Sequence, residues 1–356
     1  MHVVGIGTAA PAWRYQQSEC FDALQNSRQF SKLSARSRAL LKKVLRGDNG
    51  IAARHLALNP LEEVFDLTPD ALHLRFARHA PALASEAAQK ALAHARIAPD
   101  EIDAVLVSTC TGYLCPGLTS YVVENLKLRP EVLALDLVGQ GCGAALPNLR
   151  TAEALLKAQR ANVVLSICVE VCSAAFYLDD DPGVLISACL FGDGAGAAVL
   201  SNRPANQSRQ VQWKLGNSQL APASRDLLRF EQRGGMLRNI LSPEVPQLAA
   251  THAERLLHHS LRTAAVDRKD IAGWILHAGG RDVLNALRDQ MKLTENDTRH
   301  SSAVLREFGN LSSPTVYFVL EAALNDSVPD GAWWMSSFGA GFSCHGALLD
   351  VRSSPA

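Results

Sequence analysis

In the stretch "LDLVGQGCGAALPNLRTAEALLKA", residues 135–158, an apolar run passes into a helical pattern through small residues that enclose Cys142. Glycines at 141 and 143 let the backbone bend sharply and let another group approach closely. Ala145, Leu149, Ala152, Leu155 and Leu156 then recur at the spacing of an amphipathic helix. Cys142 is therefore expected at or near a helix N-terminus, where free N–H groups and the helix dipole favour an anion such as a thiolate. A nucleophilic thiolate and a small buried hydrophobe both fit this stretch. The rest of the chain must decide between them.

A repeat supplies the elements that would position such a nucleophile. The segments "AAQKALAHARIAPDEIDAVLVSTCTG" (87–112) and "HAERLLHHSLRTAAVDRKDIAGWILHAGG" (252–280) share one order. Each reads as an amphipathic helix, a polar turn with an acid-then-Ile step, and an apolar strand ending near glycine. Superposing Ile102 on Ile271 sets an offset of 169 residues, which carries Cys142 to within one position of Asn310 in "EFGNLSSPTVYFVLEAAL". Both halves close with Phe-Gly-x-Gly before an apolar strand, in "FGDGAGAAVL" and "FGAGFSCHGALL". The pattern predicts an α/β fold made of two copies of one unit, 1–200 and 201–356, related by a pseudo-two-fold axis. Cys142 and Asn310 would then occupy equivalent helix starts, for which Asn is also a favoured cap. His277 would follow a strand where Cys110 and Thr111 follow its counterpart. Ends of equivalent elements meet where binding sites commonly form, so Cys142, His277 and Asn310 are expected to converge.

Bulk properties narrow the classes. The 356 residues are 47% hydrophobic and 20% charged with a formal net charge of zero, which fits a large soluble core and excludes a dedicated nucleic-acid binder. The longest apolar candidate, "NVVLSICVEVCSAAFYL", is interrupted by Glu170, and no integral membrane segment is expected. The start "MHVVGIGTAAPAW" lacks the pattern of a secretory leader, and a cytoplasmic location is expected. None of the eight cysteines forms C-x-x-C or a zinc-like cluster with histidine, so no metal is expected and the thiols should be reduced.

The segments "GQGCGAALPNLR", "LFGDGAGAAVL", "ILHAGGRDVL", "FGNLSSPTVYFVLEA" and "SFGAGFS" resemble, in order and spacing, the signatures of type III polyketide synthases, the chalcone-synthase-like enzymes. The resemblance spans essentially the whole chain. It implies the thiolase fold, a duplicated five-layered αβαβα arrangement, a homodimer, and Cys-His-Asn catalysis by Cys142, His277 and Asn310. It also implies malonyl-CoA and an acyl-CoA starter as substrates, with no cofactor beyond these CoA thioesters. Cys142 would take the acyl group as a thiolate, its pKa lowered by the helix terminus and an imidazolium at His277. His277 Nε2 and the Asn310 amide would stabilise the enolate left by malonyl decarboxylation, and one such donor is worth about 10²–10³ in rate. Backbone N–H groups near Cys142 and near Ser343 would form a second oxyanion hole.

Further roles come by the same resemblance. Phe191 matches a gatekeeping phenylalanine. Cys110, Thr111, Cys115, Gly143, Ala175, Met236 and Leu237 fall at pocket positions, and their modest bulk suggests a long, narrow starter as in bacterial alkylpyrone and alkylresorcinol synthases. "CPGLTSY" resembles a loop that places one residue, here Cys115, in the neighbouring subunit's cavity, with Cys115–Pro116 a candidate cis bond. The CoA phosphates are expected near Lys42, Lys43, Arg46, Gly279 and Gly280. The family's own basic positions fall here on Leu41, Val44 and Asp48, and Lys42, Lys43 and Arg46 stand in as their neighbours. The rivals are an initiating ketoacyl-ACP synthase, which usually shows His-x-x-Asn where this chain has "HAGG", and a catalytically silent scaffold subunit.

Overall fold

The protein is described here from a computed structural model, over residues 1–204 and 208–354. Its first half contributes strands β1 (His2–Ala9), β2 (Arg14–Gln16), β3 (Ala53–His55), β4 (Ala104–Thr109), β5 (Leu133–Val138), β6 (Val163–Glu170) and β7 (Gly194–Ser201). The second contributes β8 (Arg209–Leu220), β9 (Leu228–Arg233), β10 (Met236–Leu241), β11 (Ile271–Leu276), β12 (Gly331–Gly339) and β13 (Ser343–Ser353). β2 with β3, and β9 with β10, form small antiparallel ladders.

The remaining strands run in the order β11-β12-β13-β8-β1-β7-β6-β4-β5. Outward from the β1–β8 junction the two arms repeat each other. β1–β7 and β7–β6 are antiparallel and β6–β4 is parallel, as β8–β13, β13–β12 and β12–β11 are on the other side. Only β5, at one edge, lacks a counterpart. β1 and β8 pair through two residue couples alone, His2 with Gln212 and Val3 with Val211, so the arms diverge beyond them into separate layers.

Helices fill the spaces between and outside the arms. α6 (Ala145–Lys157) and α11 (Thr315–Leu324) lie in the core shared by both arms, with Leu146, Leu149, Val316 and Leu320 buried. α4 (Pro69–Ala95) and α5 (Leu118–Leu126) cover the outer face of the first arm. α8 (Val245–Ala264) and α9 (Arg281–Met291) cover that of the second. α10 (Arg299–Phe308) packs beside α11. The result is the duplicated five-layer thiolase arrangement implied by the resemblance, with the two copies of one unit that the repeat predicted. Continuous apolar runs such as AVLVST in β4 suit strands buried on both faces. Small residues set the spacing: a Cβ on Gly5 of β1 would stand 2.2 Å from the Ala91 carbonyl oxygen of α4.

A fourth cluster belongs to α1 (Gln17–Gln25), α2 (Arg28–Lys32), α3 (Ala35–Arg46) and α7 (Pro182–Leu190). Phe21, Leu24, Leu41, Leu45 and Leu185 form its centre. Among the described residues, no helix is long and apolar enough to cross a membrane.

Candidate active site

Chemically capable residues collect just beyond the C-terminal ends of β4, β6 and β11. Cys110 follows β4, Glu170 ends β6, and His277 follows β11. Cys142 sits in the short 3-10 turn Gly141–Gly143, ahead of α6, whose first turn has no side-chain cap. Gly141 has φ +55, and a Cβ there would meet the Ala340 nitrogen at 3.0 Å. A Cβ on Gly143 would lie 2.9 Å from His345 Cδ2 and 3.2 Å from the Gly339 nitrogen. The glycines flanking the cysteine thus admit the backbone of the β12–β13 turn.

Ser312 ties the centre together. Its Oγ donates to Cys142 Sγ at 3.2 Å, and its backbone N–H donates to Asn310 Oδ1 at 2.8 Å. Asn310 Nδ2 in turn donates to the carbonyl of Gly279, two residues past His277, at 3.0 Å. His277 is buried edge-on to Phe338, with ring centroids 5.0 Å apart, and Phe338 precedes the Gly339 that packs on Gly143. Two chains of contacts thus run from Cys142: one through Ser312 to Asn310 and the Gly279 carbonyl, the other through Gly143 and Gly339 to Phe338 and His277. His277 and Asn310 do not themselves line the cavity at Cys142. An amide nitrogen carries two hydrogens, so Asn310 keeps one donor free for a ligand. Asn310 does not cap a helix, as its sequence position suggested: α11 begins at Thr315 with Pro314 before it. Its carbonyl instead stabilises the turn holding Ser312.

Glu170 went unassigned in the sequence beyond breaking an apolar run. It is fully buried and accepts from Thr111 Oγ1 at 2.9 Å, Cys110 N at 3.0 Å and Ser313 Oγ at 2.6 Å. Ser312 Oγ stands 3.4 Å from it. Burial pushes its carboxyl up, and these donors oppose the shift. The available signal was a lone acid inside a strand of otherwise apolar pattern, which requires donors around it.

Burial pushes the Cys142 thiol up to about 12; the Ser312 hydrogen bond opposes this and the Glu170 charge adds to it. Burial alone drops the His277 imidazole to about 3. Burial therefore opposes charge on both groups, against the thiolate and imidazolium expected from the sequence.

An apolar cavity opens from Cys142. Cys110, Thr111, Cys172, Ala175, Phe191, Ser312 and Ala340 line it together with Cys142. It continues between α1, α3 and the turn Leu61–Phe65, past Leu24, Leu41, Leu45, Leu61, Val64 and Phe65. Phe191 is extended beyond α7 and bridges to Asn310. Met236 and Leu237 line a neighbouring cleft that shares Cys110 and Thr111. Cys115 is exposed and lines neither space, and Cys115–Pro116 is cis. Ser343 opens β13 with its hydroxyl bonded to the Ala340 carbonyl at 3.2 Å. It does not line the cavity, so Gly339 and Ala340 replace it as the part of that turn facing the nucleophile. Lys42 and Lys43 are exposed on α3, while Arg46 pairs with Asp22. Gly280 precedes α9, whose Arg281 donates to the Asp48 carbonyl just past α3, so these candidates border one region.

Residues 9–219 match the family described as "FAE1/Type III polyketide synthase-like protein", and residues 214–349 match "Chalcone and stilbene synthases, C-terminal domain". The chain belongs to the type III polyketide synthases. It is 28% identical to a 3,5-dihydroxyphenylacetyl-CoA synthase of Streptomyces toyocaensis, over 98% of this chain and 89% of that protein. It is 27% identical to the alpha-pyrone synthesis polyketide synthase-like Pks18 of Mycobacterium tuberculosis, over 98% of this chain and 91% of that protein. The crystal structure of PKS-I from the brown alga Ectocarpus siliculosus superposes with a TM-score of 0.88 at 25% identity, covering 98% of this chain and 97% of that one. Like other type III polyketide synthases, this chain is a condensing acyltransferase that uses CoA thioesters.

Proposed function

We propose that Cys142 accepts a medium- or long-chain fatty acyl group from its CoA thioester and extends it with malonyl-CoA to an alkylpyrone or alkylresorcinol. The observation that carries this reading is the lining of the cavity that holds Cys142: Leu24, Leu41, Leu45, Leu61 and Val64 outnumber polar members such as Arg54, Ser187 and Asn239. An aliphatic chain gains about 0.8 kcal/mol for each methylene so buried.

Acylation needs Cys142 as a thiolate with its proton held by His277, and the Ser312 hydroxyl stabilises the charged sulfur. Sulfur then attacks the thioester carbonyl and CoA leaves as the thiol. For extension, malonyl-CoA loses carbon dioxide, and its thioester oxygen takes up the charge between neutral His277 and the free N–H of Asn310. The enolate carbon attacks the Cys142 thioester and sulfur departs. Every step is closed by the side chains named and the two CoA thioesters, so neither a metal nor a redox cofactor is invoked. Phe191 would separate the CoA passage from the cavity. Lys42, Lys43 and Arg46, with Gly279 and Gly280, would meet the CoA phosphates.

We place the halves at 1–200 and 201–356 and read the molecule as a cytoplasmic homodimer. Support for the dimer comes from β5, an edge strand with Leu133 and Val138 exposed, near exposed Tyr113 and Cys115. The test of function is mass spectrometry of products from malonyl-CoA with starters from octanoyl- to stearoyl-CoA and with aromatic acyl-CoAs. Pyrone or resorcinol products from the aliphatic series support the reading; faster turnover of short aromatic starters contradicts it.

A further inference from the structure

Residues 28–46 carry Arg28, Lys32, Arg36, Arg38, Lys42, Lys43 and Arg46 with no acid among them, in a chain whose 35 basic and 35 acidic residues balance as a whole. Among the described residues, Arg46 alone of these seven has an acid within ion-pair distance, Asp22. Asp180 reaches the start of α3, but as acceptor from the Ser34 backbone at 2.8 Å. Arg28, Lys32 and Arg36 are exposed and unpaired, as are Lys42 and Lys43.

One of the two helices bearing this charge, α3, walls the cavity, and α2 precedes it directly in the chain. Leu41 and Leu45 of α3 face inward, and Arg36, Lys43 and Arg46 fall on the opposite side at about 100° per residue. Arg36 and Arg46 stand about 15 Å apart along the helix at about 1.5 Å per residue. CoA has only three phosphates, which Lys42, Lys43 and Arg46 would satisfy at one end of α3. Arg28, Lys32 and Arg36 remain as a second cationic group at the other end.

We infer that Arg28, Lys32 and Arg36 form a docking surface for an acidic acyl-carrier protein that presents the starter as a phosphopantetheine thioester, given Cys142 as the acyl acceptor. Such an arm has the same thiol terminus as CoA, so transfer is a thioester exchange: the Cys142 sulfur–carbon bond forms, the carrier's breaks, and the carrier thiol takes the proton. An acidic protein fits better than a lipid surface. Membrane-bound helices insert apolar side chains, whereas those of α3 are buried in the protein and no large hydrophobic of α2 or α3 is exposed.

The experiment offers the full-length protein dodecanoyl-CoA or a dodecanoyl-loaded acyl-carrier protein, each with malonyl-CoA, for the unmodified chain and the double variant Lys32→Glu/Arg36→Glu. Turnover of the carrier thioester, with kcat/KM at least tenfold lower in the variant and dodecanoyl-CoA kinetics unchanged, is the expected result. Unchanged dodecanoyl-CoA kinetics also show that the variant is folded. No transfer from the carrier, or an equal loss with both substrates, overturns the inference. So does a variant that weakens binding to phosphatidylserine vesicles while leaving carrier transfer intact. Absence of product from dodecanoyl-CoA in the unmodified chain would instead defeat the starter reading itself.

Discussion

Ser312 Oγ donates a hydrogen bond to Cys142 Sγ at 3.2 Å, joining residues 170 positions apart across the two arms of the fold. This bond favours the thiolate, against burial that holds the thiol near 12. Ser312→Ala should raise the Cys142 pKa further and slow acylation about tenfold, since hydrogen bonds to charged groups contribute roughly 1.5–3 kcal/mol. The check is the pH dependence of iodoacetamide inactivation, whose alkaline rise should move to higher pH. An unmoved profile would mean that the hydroxyl does not act on the sulfur.

His277 gives a pH dependence of defined sign. Its folded value, about 3, lies below the ordinary 6.5 because burial disfavours the cation. Between those values the unfolded chain binds more protons, so this group's contribution to stability falls as pH drops from 6.5 toward 3. His277→Gln should remove that dependence. Comparing Tm for the two proteins at pH 7 and pH 4.5, the variant should gain relative to the unmodified chain at the lower pH, while losing condensing activity at both.

Chain-length selection should respond to Ala175, which lines the cavity that holds Cys142. Ala175→Phe places a ring where an alkyl chain would pass. The kcat/KM ratio for dodecanoyl- over butanoyl-CoA should fall by at least about tenfold, the scale on which pocket shape discriminates methylenes. Equal losses for both starters would place the alkyl group elsewhere.

The exposed β5 edge predicts a dimer that charge can disrupt. Val138 is 60% exposed on an edge strand, so Val138→Asp should shift the molecular mass measured by light scattering from dimer to monomer. A monomer in the unmodified chain would contradict the assembly.

Cys142, His277 and Asn310 could be singled out because a duplication leaves a local trace: helix, polar turn, strand and glycine recur at one spacing. The strand arms repeat in the order that this trace requires. Ser312 and Glu170 were not legible, although both lie in conspicuous segments. Their roles depend on hydrogen bonds between β6 and the turn before α11, which no local pattern encodes. The cap that Asn310 also offered is absent for a related reason: the helix starts five residues later, and its side chain serves a turn. Ser343 was displaced by Gly339 and Ala340 because the β12–β13 turn approaches Cys142 through its tip. The direction of the cavity follows from packing among α1, α3 and α7, and sequence alone carried no sign of it. The protonation states depend on burial, which a helix-terminus argument omits.

The central claim is that Cys142 carries the acyl chain while His277 and Asn310 stabilise the enolate. Intact-protein mass spectrometry with dodecanoyl-CoA, coupled to a carbon dioxide assay with malonyl-CoA, separates these roles in Cys142→Ala and Asn310→Ala. The account predicts no acyl adduct but continued decarboxylation in Cys142→Ala, and an adduct with decarboxylation reduced about 10²–10³-fold in Asn310→Ala. An adduct persisting in Cys142→Ala, or full decarboxylation in Asn310→Ala, would contradict it.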